Sequence, residues 1–200
     1  MSRNSGLTDA VWYTARGTGV MTLVLLTVVV ALGIATRSGR PLPGLPRFAV
    51  AAVHRSAGLL AVTLLAGHVG LLLLDPYAQL KVLDVVVPFT ATYRPLWVGL
   101  GTLALDLMVA VVVTSLLRHR LGVTAWRIVH WTAYAAWPVA LLHGLKSGTD
   151  GGATWFLAVS LGCCAVVAAA VAWRLSASFA EFGHVRLPAR PDIRPDGVLR

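Results

Sequence analysis

Four histidines stand inside apolar stretches of the chain, His54 and His68 in one and His130 and His143 in another. Imidazole in hydrocarbon needs a partner, so an ionisable side chain within a membrane span marks a candidate functional site. A single such histidine reads as a hydrogen-bonded structural residue. Four of them, in two pairs of nearly equal spacing, read as ligands. On an ideal helix the fourteen residues from His54 to His68 rise about 21 Å and fall about 40° short of whole turns, so both rings leave one face. The thirteen residues from His130 to His143 rise about 19.5 Å, but an ideal helix turns those rings about 140° apart. Pro138 lies between them and removes one backbone hydrogen bond. A bend or a tightened turn there would bring the rings back toward one line.

If both helices run the same way, His54 stands level with His130 and His68 with His143. Two imidazole nitrogens on opposite sides of one iron make a bis-histidine, low-spin, electron-transferring heme. The pairs are therefore read as axial ligands of two heme b groups, one near each edge of a hydrocarbon layer roughly 30 Å thick. Zinc or copper would need three or four ligands around one centre, whereas these pairs lie about 20 Å apart. The rival reading is a proton or metal-ion transporter that uses the intramembrane histidines, which accounts less well for the two-by-two spacing. Heme propionates are anionic and call for cations. Arg55 and Arg127 are the candidates near His54 and His130, and Arg16, Arg94 and Lys146 those at the other edge.

The elements that must carry these residues are membrane spans. The chain has 200 residues, 57% hydrophobic and 12% charged, with a mean hydropathy of +0.76. A soluble domain needs far more polar surface than that. The net charge of +9 falls in short loops between apolar runs, where it sets membrane orientation. No basic face is left to follow a nucleic-acid backbone. The expected architecture is all-α, an integral membrane helical bundle of about five transmembrane helices embedded in lipid. The expected spans are 12 or 18 to 34, 48–74, 96–117, 124–145 and 153–173. Residues 1–11 precede the bundle, 12–175 form the heme-binding domain, and 176–200 form an Arg- and Pro-rich tail expected to be disordered. Segment 77–93 is too short to cross, and 80–87 is expected to lie at the interface as a short amphipathic helix. The loops with Arg37, Arg40 and Arg47 and with Arg118, Arg120 and Arg127 belong in the cytoplasm with the tail, which puts the N-terminus outside.

Other residues read more plainly. Trp97, Trp126, Trp131, Trp137 and Trp155 fall near span ends and are expected in the interfacial aromatic belt. Asp106 is a costly charge in mid-span without an obvious partner, and no catalytic role is assigned to it. Gly58, Gly67, Gly70 and Gly144 flank the ligands and would let a macrocycle approach the backbone. Cys163 and Cys164 are helix neighbours pointing about 100° apart, hence small buried hydrophobes rather than ligands or a disulfide. His119 and His184 stand outside the heme set.

The double spacing, thirteen residues between His54 and His68 and twelve between His130 and His143, resembles the ferric reductase-like transmembrane domain. That superfamily takes in ferric reductases, NADPH oxidases and the heme-binding membrane subunit of the bacterial methionine sulfoxide reductase system. The resemblance covers roughly residues 12 to 175. It implies two b-type hemes on the histidine quartet, in a core that usually has six spans. No flavin or nicotinamide domain follows the fifth span, so the chain is expected to be the redox subunit of an oxidoreductase. Electrons would enter from a cytoplasmic flavoprotein or a quinol and leave to ferric iron, a flavoprotein or oxygen on the outer side.

Overall fold

The computed structural model describes residues 2–44, 46–177 and 179, and these form seven helices. They are α1 (Ser2–Ser38), α2 (Arg47–Leu74), α3 (Val82–Val86), α4 (Pro95–Leu116), α5 (Arg118–His130), α6 (Ala133–Ser147) and α7 (Thr154–Leu175). Most of the expected tail, with His184, lies outside the described residues. Four of the helices, α1, α2, α4 and α7, are long and apolar enough to cross a membrane. Leucines such as Leu59, Leu116 and Leu161 face outward from them. That arrangement suits a lipid solvent, which exacts no penalty for apolar surface.

The chain's own punctuation sets the helix ends. No proline interrupts α1, so it starts ten residues or more before the expected span. It stops where Gly39 takes a left-handed φ of 62°, a common helix stop. Pro46 precedes α2, and Pro95 opens α4 at a position where its missing N–H costs nothing. The expected interfacial helix is present as the five residues of α3. Asp84 is turned inward, where its carboxylate accepts hydrogen bonds from Lys81 N and Thr90 Oγ1, both at 3.0 Å. Its carbonyl accepts from Thr102 Oγ1 of α4 at 2.6 Å. Val82, Leu83 and Val86 face outward, so α3 is anchored by an acid and shows its apolar side to the surroundings.

The expected fourth span, 124–145, departs from a single regular helix. It is divided between α5 and α6, and α6 alone has fifteen residues, about 22 Å at 1.5 Å per residue. Trp131 and Thr132 keep right-handed backbone angles, but the hydrogen bonds there shorten by one residue. Thr132 N donates to Val129 O at 2.9 Å, Tyr134 N to Trp131 O at 3.1 Å and Ala135 N to Thr132 O at 2.9 Å. The cause is Pro138, which has no N–H for the Tyr134 carbonyl and whose ring crowds it. Each tightened residue adds about 20° of rotation. Three of them supply about 60° of the 140° separating His130 from His143 on an ideal helix, so the bend must carry the rest.

α1 is the central helix, packing along α2 and also against α6 and α7, while α6 packs on α4. Leu23, Leu26, Ala61, Met108, Trp137 and Leu141 meet in the core. Trp137 thereby corrects the belt expectation: it is 9% exposed, and its Nε1–H donates to Thr27 Oγ1 at 2.8 Å. It lies on the face of α6 that carries Ala136, Ala140 and Leu141 into the core, rather than toward a headgroup. Trp131 and Trp155 are half exposed, as a belt requires. Trp137→Phe, which keeps most of the volume but loses the donor, is expected to cost about 1 kcal/mol. Thermal unfolding in detergent should show a lowered midpoint, and an unchanged midpoint would refute this use of the indole.

Candidate functional site

Three of the four histidines are held by one repeated device. The Nδ1–H of His54 donates to Val29 O at 3.0 Å, that of His68 to Ala15 O at 2.7 Å, and that of His143 to Trp97 O at 2.8 Å. Ser147 Oγ lies 3.2 Å from the same nitrogen of His143. Four residues beyond each accepting carbonyl stands a glycine: Gly33, Gly19 and Gly101. A Cβ at those glycines would come within 3.3, 2.8 and 2.5 Å of the ring Cε1 atoms of His54, His68 and His143. A helix carbonyl keeps a second lone pair beyond its own helical bond, and here the missing side chain lets the imidazole reach it.

The consequence is chemical. A carbonyl oxygen only accepts, so Nδ1 carries the proton and Nε2 keeps the free lone pair. That is how metal-binding imidazoles are commonly oriented. α1 supplies the backing for both rings of α2, and α4 supplies it for His143 of α6. α2 and α6 thus each pack chiefly on a different helix, and a space remains between them. His68 and His143 line one cavity of about 190 Å³ there, together with Gly19, Gly101 and Gly144. At the other end the rings of His54 and His130 have centroids 6.3 Å apart at 67°. Two imidazoles bonded to one metal ion at about 2 Å each would have centroids about 6 Å apart, so the spacing is one that two rings holding a common ion would have. Among the described residues no group of three or more His, Cys, Asp or Glu side chains converges on one point.

His130 is the exception. Its Nδ1 is buried with no hydrogen-bond partner among the described residues. Its ring leans on Trp126, with centroids 5.0 Å apart. A buried polar atom left unpaired costs roughly 1–3 kcal/mol.

The remaining candidates sort by position. Arg16 lines the His68/His143 cavity and is ion-paired with Asp150, which lines it too. Arg94 is turned to the Lys146 carbonyl at 2.7 Å, and Lys146 Nζ lies 5.9 Å from the centre of the Trp97 ring. Arg55 and Arg127 are exposed. Asp106 is half-buried in α4, His119 is exposed on α5, and Cys163 and Cys164 are free thiols. Gly58, Gly67 and Gly70 face open space.

Reasoning from the sequence missed Gly19, Gly33 and Gly101. A signal for two of them exists: Gly19 and Gly33 are fourteen residues apart, as are His54 and His68. Equal spacing is what two antiparallel helices in register produce.

Residues 18–141 match the family model described as ferric reductase like transmembrane component. The matched stretch holds His54, His68 and His130 and ends two residues before His143. No curated protein and no solved structure matches the chain. A multi-pass, all-helical membrane architecture and a match over more than half of the sequence agree: the chain belongs to the ferric reductase-like transmembrane family.

Proposed function

We propose that the chain is a di-heme electron conduit, with His54 and His130 holding one heme b and His68 and His143 the other. The observation that carries this reading is the repeated orientation of three imidazoles, Nδ1 tied to a helix carbonyl and Nε2 left with its lone pair, with His68 and His143 on one cavity and His54 beside His130. Heme, when bound, supplies one-electron redox chemistry. The chain's own residues do the rest. Gly19 and Gly101 bring the His68 and His143 rings against the neighbouring helices, where a backbone carbonyl fixes the direction of each. Leu23, Leu65 and Met108 give the cavity an apolar wall, which keeps water from the ligand bonds. Arg16, paired with Asp150, stands at the same cavity as the donor nearest its outer edge. Arg55 and Arg127 offer positive charge near His54 and His130, where propionates would need it.

In this reading the His54/His130 end faces the cytoplasm and receives electrons from a flavoprotein or a quinol. The His68/His143 end delivers them outside to ferric iron, a flavoprotein or oxygen, with the N-terminus outside and the C-terminus in the cytoplasm. The test is electron transfer across a sealed vesicle. With ferricyanide entrapped and dithionite outside, vesicles holding the protein should bleach the ferricyanide at least tenfold faster than protein-free vesicles. Equal rates would refute transmembrane electron transfer.

A further inference from the structure

Among the described residues no carbonyl takes the Nδ1 of His130, so a different contact must set the direction of that ring. The ring it touches is Trp126, with centroids 5.0 Å apart and planes inclined at 32°. The two residues are four apart on α5, the spacing that makes neighbours on one helix face. An imidazole laid against an indole keeps the favourable contact of two aromatic rings only while its plane stays put. The indole is itself held. Its Nε1–H donates to Ser115 Oγ of α4 at 3.2 Å, whereas a belt tryptophan would turn that group to headgroups or water. The Arg118 guanidinium carbon lies 5.5 Å from the indole ring centre, within reach of a cation–π attraction. Gly122 turns the chain between Arg118 and Trp126, with φ 80° and ψ 161°, a backbone conformation essentially reserved for glycine. Ser115 and Trp97 are eighteen residues apart on α4, five whole turns, so they stand on one face of that helix. The same face of α4 thus backs His143 directly, through the Trp97 carbonyl, and His130 through an indole.

We infer that Trp126 is the positioning residue of the His54/His130 site: the indole, fixed by Ser115 and Arg118, sets the plane of the His130 ring as a helix carbonyl sets the other three. The inference rests on the two-heme reading above. Trp126 touches neither metal nor substrate and acts only through His130. A ligand ring held at one angle gives its iron a single environment. A ring free to turn samples a range of angles and is the weaker ligand for it, because the partner that orients a ligating imidazole also supports its affinity. The effect is confined to one heme of the two.

Electron paramagnetic resonance of the oxidised protein in detergent reads the ligand planes through the low-spin line shape, with pyridine hemochrome counting hemes in the same samples. Trp126→Leu is expected to broaden the signal of one heme and leave the other sharp. The broadened heme should also be lost roughly tenfold more readily on dilution. In the His68→Ala plus His143→Ala background, which keeps only the His54/His130 heme, the change should appear at that heme. Trp126→Phe keeps a ring against the imidazole and is expected to broaden the signal less than leucine does. A merely structural indole would lower the unfolding midpoint and leave both line shapes alone. Should Trp126→Leu not fold, Ser115→Ala removes the acceptor of the indole N–H, keeps the ring, and is expected to broaden the same signal by a smaller amount. Unchanged line shapes in the folded leucine variant, or in the alanine variant that replaces it, would overturn the inference. So would equal broadening at both hemes, or a phenylalanine variant as broad as the leucine one. A count below two hemes in the unsubstituted protein instead fails the two-heme reading itself.

Discussion

Replacing His68 and His143 together by alanine is expected to halve the heme content, from two per chain to one, and to leave the chain folded. Both rings line one cavity, both are anchored to helix carbonyls rather than to each other, and neither belongs to the core around Trp137. Their loss should therefore empty one site without collapsing the bundle. The other site lies about 20 Å away along the helices, too far to share ligands. The measurement is pyridine hemochrome against protein concentration, with size-exclusion elution as the check on folding. Retention of both hemes in a folded double variant would show that these histidines are not the ligands.

A second large effect is expected from a residue that touches no metal. Gly101→Val places a branched side chain where even a Cβ would stand 2.5 Å from the His143 ring. The backing atom is helix backbone, which cannot yield, so the ring must leave Trp97 O. Loss of the partner that orients a ligating imidazole typically costs about 10- to 100-fold in metal affinity. The heme of the His68/His143 site should accordingly be lost on dilution or during detergent washing, while the other stays. The series is graded by the same distances. Gly19→Ala, with a contact of 2.8 Å, should act more strongly than Gly33→Ala at 3.3 Å. Gly58→Ala, which meets open space, should change nothing. A Gly58→Ala effect as large as that of Gly101→Val would mean that bulk on a span, not displacement of the ring, governs heme retention.

Much of this arrangement was legible in the residues. Length and hydropathy marked the apolar runs. The two histidine pairs stood out because charge-capable side chains are rare in such runs. The angle through Pro138 was anticipated as a bend or a tightened turn. Its form, three shortened hydrogen bonds upstream of the proline, depends on how the Tyr134 carbonyl is accommodated, which a one-dimensional pattern does not encode. Trp137 was misread because proximity to a span end says nothing about which face of the helix it occupies. The backing glycines were invisible for a related reason. Gly19, Gly33 and Gly101 act on rings 21 to 49 residues away, so their role exists only once α1 lies on α2 and α4 on α6. The glycines adjacent to the histidines in sequence drew attention instead, yet Gly58 and Gly67 meet no neighbouring side chain.

The most direct test of the account is the heme content and spin state of the unsubstituted protein purified in detergent. Pyridine hemochrome should return two b-type hemes per chain. Low-temperature electron paramagnetic resonance of the oxidised protein should show low-spin ferric signals for both, as two nitrogens on each iron require. A chain that folds and elutes as a single species without a b-type alpha band, or one whose iron is wholly high-spin, would contradict it.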